Sequence, residues 1–474
     1  MLTSSLILST DAGQSRSQLG QLDQLSGAPP VICSDLKALK SALNDQSPQF
    51  FFLDLRPGVI ATAEPGRMEQ ISRYAEMLKF LAEEYTGAVR LITISDQFYP
   101  LALAFHIDLM GGINLESPFS DEELLHLVDD LQKRTHSHGK NRTPIPHTIA
   151  TEKLKFSTYT PELFPVLEQL VRVARHDVTV LLVGETGTGK TTLAQLIHQL
   201  SSHRDQPFMN VACGALPPDL IESELFGHVR GAFTGADRSK VGRFEAAGRG
   251  TLLLDEIDVL GPKEQAKLLK IIETREFEPV GSTETRYSQA RLIVASNVDL
   301  ETLTAKNQFR SDLYYRLNVL EFCLPPLRDR PLDIIPLAIQ FINENCQLHG
   351  VTVKRVHRHF LETLRTYPWP GNLRELKNQI QRTVLFAQEG ELTTEDLSPN
   401  ILAMQEEGHN GRAHRLPVSL ADRVAVTEQQ ILEEVLKAHD YKRSAAAEAL
   451  GISRVGLYKK MRKYGMLKRK DKMT

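Results

Sequence analysis

Three stretches of this chain carry the residue types that phosphate chemistry requires. In Gly184-Glu185-Thr186-Gly187-Thr188-Gly189-Lys190-Thr191-Thr192, the glycines let backbone N–H groups face inward around phosphate oxygens. Lys190 reaches the β and γ oxygens, and the Thr191 hydroxyl stands where it can ligate magnesium. Asp255 and Glu256 follow the apolar run Thr251-Leu-Leu-Leu; the first carboxylate can hold the cation and the second can orient and polarise a water. Asn297 follows Arg291-Leu-Ile-Val-Ala-Ser and brings an amide. Taken singly, a strand-end acid pair is commonly solvated and an asparagine is commonly a turn residue. Their order behind an intact glycine loop predicts ATP with Mg2+ held through Thr191 and Asp255, and hydrolysis rather than binding alone.

Such residues need elements that gather them. Val178 to Val183 reads as a strand, the glycines as its turn and Leu193 to Leu200 as a helix, while the runs before Asp255 and Asn297 read as further strands. An open α/β sheet serves because its carboxyl ends open onto one crevice. At 474 residues the chain exceeds one ordinary core, and domains of roughly 150 residues suggest about three. Two polar, turn-rich stretches divide it. We expect a regulatory domain over 1–134, a linker over 135–151, an ATPase block over 152–400 with its lid from about 325, a linker over 401–426 and a tail domain over 427–474. Hydrophobic content of 41% and charged content of 24% are ordinary for globular protein and do not suggest a disordered or fibrous chain. Cys33, Cys213, Cys323 and Cys346 show no paired metal-ligand spacing and read as reduced thiols. The first residues lack a secretory charge pattern and no apolar run reaches membrane length, so a cytoplasmic chain without a membrane partner is expected.

In the first domain, apolar runs at Leu6-Ile-Leu, Phe50-Phe-Phe-Leu and Val89-Arg-Leu-Ile-Thr-Ile alternate with helical patterns at Met68 to Glu84 and Glu122 to Leu131. That order predicts an α/β domain with a parallel sheet. The layout resembles a response-regulator receiver, with Asp54 at a strand end, Ser95 ending a later strand and Glu116-Ser-Pro-Phe before the last helix. Receivers hold magnesium through an acidic pair after the first strand and carry a lysine before a late proline. Here Ser9-Thr10-Asp11 offers one carboxylate and Ser117 stands at the lysine position. Phosphoryl transfer needs that charge neutralisation, so a degenerate receiver-like domain is expected, with Asp54 an ordinary strand-end acid that phosphate donors do not control.

Between the two nucleotide motifs lies Glu224-Leu-Phe-Gly-His-Val-Arg-Gly231-Ala232-Phe233-Thr234-Gly235-Ala236. Small residues and glycines around an aromatic disfavour regular helix and suit a moving loop with a contact tip. Together with Phe309-Arg310-Ser-Asp-Leu-Tyr-Tyr-Arg316-Leu and Trp369-Pro-Gly-Asn-Leu-Arg374-Glu-Leu, this string resembles the sigma-54-dependent, NtrC-like enhancer-binding activators, from near Lys155 to near Ser398. The resemblance implies an AAA+ P-loop α/β domain with a helical lid. It implies Glu256 and the sensor Asn297 as catalytic groups, Arg310 and Arg316 as guanidinium groups offered to a neighbouring subunit's ATP, and Arg374 as a nucleotide sensor on the lid. It further implies that Gly231 to Ala236 contact sigma-54, with Phe233 and Thr234 foremost. The chain would form a homo-oligomer, from dimer to hexamer, and spend ATP to remodel sigma-54 RNA polymerase. One departure stands out. The family places an asparagine before the cysteine that follows its second strand, where it restrains the catalytic glutamate. This chain has Ala212-Cys213, with Asn210 on the same strand face. A helicase or loader would need a nucleic-acid pore loop in place of the Gly231–Ala236 string; a DNA-binding regulator that neither hydrolyses ATP nor touches sigma-54 would need none of this set intact.

The net charge of −3 conceals a basic tail carrying Lys442, Arg443, Arg454, Lys459, Lys460, Arg462, Lys463, Lys468, Arg469, Lys470 and Lys472. Glu428 to Ala438, Arg443 to Leu450 and Ser453 to Tyr464 read as three helices, with Gly451-Ile452 in a turn and Ser453 as a cap. This all-α tail resembles a Fis-type helix-turn-helix for enhancer-like DNA. Arg454, Tyr458 and Lys459, beside Ser453, are the base-reading candidates, while Arg462 and Lys463 would position the backbone. Arg454→Ala should cost ~1–3 kcal/mol on a matched site and little on a scrambled one, whereas Lys463→Ala should weaken both alike. Binding titrations on the two sites check this; equal losses for Arg454→Ala would make it a phosphate contact.

Overall fold

The apolar runs at the start of the chain become a parallel sheet. The structure, a computed structural model, describes residues 5–11, 15, 30–48, 50–56, 64–85, 87, 89–134 and 146–409. β1 (Ser5–Leu8), β2 (Val31–Cys33), β3 (Phe50–Asp54) and β4 (Leu91–Ser95) associate with β6 (Ile113–Glu116), while β5 (Phe98–Pro100) leaves that sheet. The strand order is β2-β1-β3-β4-β6 and each pairing is parallel, the doubly wound arrangement of flavodoxin-like folds. β3 is buried along its whole length, as a strand covered on both faces must be. α1 (Leu36–Asp45), α2 (Glu64–Glu83) and α3 (Leu101–Leu109) bury Leu39, Tyr74, Leu78 and Leu103 on one side. α4 (Asp121–Arg134) buries Leu124 and Val128 with Phe50 and Phe52 on the other.

Asp54 is not the ordinary strand-end acid expected. It is fully buried, and its oxygens accept from Arg56 Nε at 2.8 Å, an Arg56 terminal nitrogen at 2.5 Å and Ser15 Oγ at 2.6 Å. A buried carboxylate requires a charge partner, and Arg56, two residues on, supplies it.

The second sheet lies beyond an antiparallel hairpin of β7 (His147–Ala150) and β8 (Lys155–Thr158). Strand β7 falls inside the stretch expected as linker, because Ile149 packs into the core beside Leu167 and Leu170 of α5 (Phe164–Ala174). There follow β9 (Val180–Val183), α6 (Lys190–Gln199), β10 (Phe208–Ala212), α7 (Pro218–Phe226) and the short pair β11 (Gly227–His228) and β12 (Lys240–Val241). Next come β13 (Thr251–Asp255), α8 (Pro262–Thr274), the short pair β14 (Glu276–Phe277) and β15 (Arg286–Tyr287), β16 (Arg291–Ser296), α9 (Ser311–Leu317) and β17 (Glu321–Cys323). The order β10-β13-β16-β9-β17 is parallel throughout. Arg291, fully buried, donates to the carbonyls of Val173 and Ala174 at 3.1 and 2.6 Å. It thereby satisfies the C-terminal end of α5 with a cation, where the helix dipole favours one.

The lid comprises α10 (Pro331–His349), β18 (Arg355–His357), α11 (Arg358–Thr366), α12 (Asn372–Phe386), β19 (Glu391–Leu392) and α13 (Pro399–His409). The last helix runs into the stretch expected as a second linker. Strand β5 joins the lid: it pairs antiparallel with β18, which pairs parallel with β19. Arg355 holds Asp96 at 2.5 and 2.6 Å and stacks over Phe98 at 4.6 Å. Arg365 binds Asp108, and apolar residues of α2, α3, α10, α11 and α12 share one core. Met1–Met404 accordingly form one compact unit, and Gln405–Thr474 a second. No helix among the described residues is long and apolar enough to cross a membrane. Arg56→Ala would strand the Asp54 charge and should lower stability by ~3 kcal/mol or more, read as a fall in the urea midpoint; an unchanged midpoint would remove the pair from the list of structural supports.

Candidate nucleotide site

The sheet ends meet as the sequence requires. The glycine loop runs from β9 into α6, with Gly187 at φ +81° and Gly189 at φ +107°, conformations that side chains resist. Lys190 is 5% exposed, and its ammonium donates to Gly184 O at 2.6 Å, Glu185 O at 3.0 Å and Asn297 Oδ1 at 2.8 Å. Burial lowers its pKa, opposed by the attraction of Asp255, Asp258 and Glu256. Thr191 Oγ1 donates to Asp255 Oδ2 at 3.3 Å. A hydroxyl and a carboxylate so placed fit a magnesium ion that takes its other ligands from phosphates and water. Asn297 Nδ2 reaches Glu256 Oε1 at 3.4 Å, and Asp258 accepts from Ser296 Oγ and Asn297 N at 3.1 Å each. Burial, then the nearby carboxylates, push the Cys213 thiol up to about 12, so it stays neutral.

The lid closes on this loop through contacts that spacing did not predict. Leu373 N donates to Gly187 O at 3.0 Å, and a Cβ on Gly187 would stand 2.5 Å from Gly371 O. Asn372, fully buried, donates from its amide to Glu185 Oε2 and Thr186 O at 3.2 and 3.1 Å and accepts from Leu327 N at 2.7 Å. Arg328 clasps Glu185 at 2.6 and 2.9 Å, and this hydrogen bonding, first of all causes, lowers the Glu185 pKa. Arg330 donates to Thr188 O at 2.7 Å. Arg374 sits in the first turn of α12, with its Cβ 3.3 Å from where a Gly187 Cβ would lie. Arg310 and Arg316 are not brought to the loop: they pair with Asp312 and Glu273 at the surface.

Between β11 and β12, the loop holding Gly231 to Ala236 is turned on itself, Gly231 N donating to Ala236 O at 2.8 Å and Ala236 N to Phe233 O at 3.0 Å. Ala236 is buried, while Phe233 is 39% exposed. The His228 ring latches the loop, lying 5.0 Å from the Phe233 ring and bonding Ser223 Oγ at 2.7 Å and Arg238 O at 2.9 Å. Val229 N and Gly227 O bond Val280, tying this loop to the β14–β15 turn. The DNA candidates Ser453, Arg454, Tyr458, Lys459, Arg462 and Lys463 lie outside the described residues.

Comparison with known proteins adds to this geometry. Residues 157–323 match the sigma-54 interaction domain, 328–414 the AAA+ ATPase lid domain, and 423–464 the bacterial regulatory proteins of the Fis family. The C4-dicarboxylate transport transcriptional regulatory protein DctD of Rhizobium meliloti is 39% identical over 357 residues, 74% of each chain. The hydrogenase transcriptional regulatory protein HoxA of Bradyrhizobium diazoefficiens is 35% identical over 398 residues, 76% of this chain and 80% of HoxA. The chain belongs to the sigma-54-dependent transcriptional activators. Its extent relative to family members varies: the Nif-specific regulatory protein of Azospirillum lipoferum is 42% identical over 283 residues, 60% of this chain and 43% of that protein. NtrX of Brucella abortus, solved with ADP, shares the fold at a TM-score of 0.50 and 24% identity, covering 98% of this chain and 100% of NtrX. In this activator the loop-to-lid contact has no room for a methyl group. Gly187→Ala adds a positive-φ cost of ~1–2 kcal/mol to that overlap and should weaken ATP binding roughly tenfold or more. Titration with a fluorescent ATP analogue checks it; unchanged affinity would show that the Gly187–Gly371 approach does not shape the site.

Proposed function

We propose that this activator hydrolyses ATP in a ring and uses the cycle to remodel sigma-54 RNA polymerase at promoters reached from enhancer-like DNA sites. Gly184 to Gly189 and Thr192 would line the phosphates, Lys190 would neutralise them, and Thr191 with Asp255 would hold Mg2+. When bound, that ion supplies charge neutralisation on the transferred phosphoryl group. Glu256 would polarise the water and Asn297 would read the γ-phosphate. Arg374 would couple nucleotide to lid angle. Arg310 and Arg316 would act on a neighbouring subunit, up to a hexamer; exposed pairs such as theirs are weakly held, so a neighbour's phosphates can draw them away. The tail over 427–474 would bind DNA. The domain over 1–134 would act as a receiver-like regulator that does not use aspartyl phosphate, since Asp54 is already paired.

The observation that carries this reading is the anchored loop. Its base is bonded to Val280 in the turn between β14 and β15, while Phe233 faces outward. A nucleotide can move such a segment only through contacts that differ between states, and in this reading the bonded base is where the loop would receive them. Thr234, beside that tip and remote in sequence from every phosphate ligand, belongs to contact rather than hydrolysis. Thr234→Ala should leave ATPase rate and DNA affinity unchanged and abolish open-complex formation on a sigma-54 promoter. Promoter opening by the variant at the wild-type rate would remove sigma-54 contact from the loop; parallel loss of hydrolysis would make the loop structural.

A further inference from the structure

Glu256 is gripped from two sides. Its backbone sits at φ +58° and ψ +47°, a left-handed conformation that strains a non-glycine residue and persists only where its surroundings hold it. Oε1 accepts from the Asn297 amide. Oε2 lies over Gly214, so closely that a Cβ built there would overlap it. Gly214 belongs to the turn Cys213–Ala215 after β10. That strand flanks β13 on the side opposite β16 and β9, whereas the glycine loop follows β9. One carboxylate oxygen therefore reaches away from the place a γ-phosphate would occupy.

The strand residues that could restrain this glutamate do not. Asn210 is exposed and registers with Leu253, a level below Asp255, and Ala212 registers with Asp255 but has no polar atom. Among the described residues, the side-chain donor to the Glu256 carboxylate is Asn297. The same amide accepts from Lys190 through Oδ1, so Lys190, Asn297 and Glu256 form one hydrogen-bonded chain.

We infer that Asn297 and Gly214 together park Glu256 in the nucleotide-free activator, Asn297 by donating to it and Gly214 by leaving the space it occupies. Phosphate oxygens are stronger acceptors for an ammonium than a neutral amide. When Lys190 turns to them, Asn297 loses its donor, is free to rotate, and withdraws its own N–H from Glu256. Restraint and sensing thus reside in one positioning residue, in a chain that has alanine where the family has its restraining asparagine. The inference rests on the ATPase reading and assigns the holder of its base.

The test is steady-state ATPase of the full chain at ring-forming concentration. Gly214 does not have a positive φ, so in Gly214→Ala the methyl acts by filling space alone. We expect its kcat to rise roughly threefold to tenfold, the worth of one net hydrogen bond, with KM unchanged and no rise when Glu256→Gln is also present. Asn210→Ala, at an exposed strand position, should leave kcat and KM as in wild type. A higher kcat in Asn210→Ala would place the restraint on the strand and overturn the inference. So would an unchanged or lower kcat in Gly214→Ala with ATP affinity and unfolding midpoint intact. Absence of turnover in the wild type would instead sink the ATPase reading, leaving the two failures distinguishable.

Discussion

A buried ammonium must spend its donors on acceptors, and much of this structure can be read from how Lys190 spends its own. Two go to carbonyls of its own loop, which forces the turn whose glycines carry positive φ, and the third goes to Asn297 at the end of β16. The parallel sheet makes that third bond possible. Strands β9, β16 and β13 lie side by side, so residues 107 positions apart end on one edge. The same edge brings Thr191 to Asp255. Desolvation weakens the lysine's charge and the neighbouring carboxylates restore it, a balance that ligand phosphates would tip further toward the charged form.

The lid is held to the loop mainly by backbone and by one asparagine. Gly371 and Leu373 lie against Gly187, and Asn372 bridges Glu185, Thr186 and Leu327. Contacts of this kind are short and directional, and the proposed coupling of nucleotide to lid angle would run through them. Behind them Trp369, fully buried with its indole N–H on Leu364 O at 2.7 Å, packs into the lid core.

What was legible in the sequence was local. The glycine loop, Asp255-Glu256, Asn297 and the Gly231–Ala236 string each declare themselves within a few residues, because strand ends and tight turns demand particular residue types there. The parallel sheets followed from apolar runs. The partnerships that complete the site were hidden, since Glu185–Arg328 and Arg330–Thr188 join residues more than a hundred positions apart and arginines are ordinarily solvated. Strand β7 was hidden for a different reason: a single buried residue, Ile149, holds it, too little to register as periodicity. Asp54 and Arg56 are near neighbours, but only burial turns their adjacency into a pair. Ala212, a visible departure, gained a physical meaning only when Gly214 and Asn297 were seen around Glu256.

Strand β5 has a consequence for how the chain is made. It is synthesised long before β18, its hydrogen-bonding partner, 259 residues separating Asp96 from Arg355. Until the lid emerges, a short strand edge and the apolar face of α3 must wait in water, and unpaired edges invite association with other chains. Asp96 before the strand and Asp108 on α3 discourage that association while they wait and then receive Arg355 and Arg365. Such distant pairing raises contact order, so completion of the lid sheet belongs to the late, slow part of folding. A chain begun after residue 134 would fold with that sheet edge and the facing lid core uncovered, and aggregation rather than loss of ATP chemistry would be its first symptom.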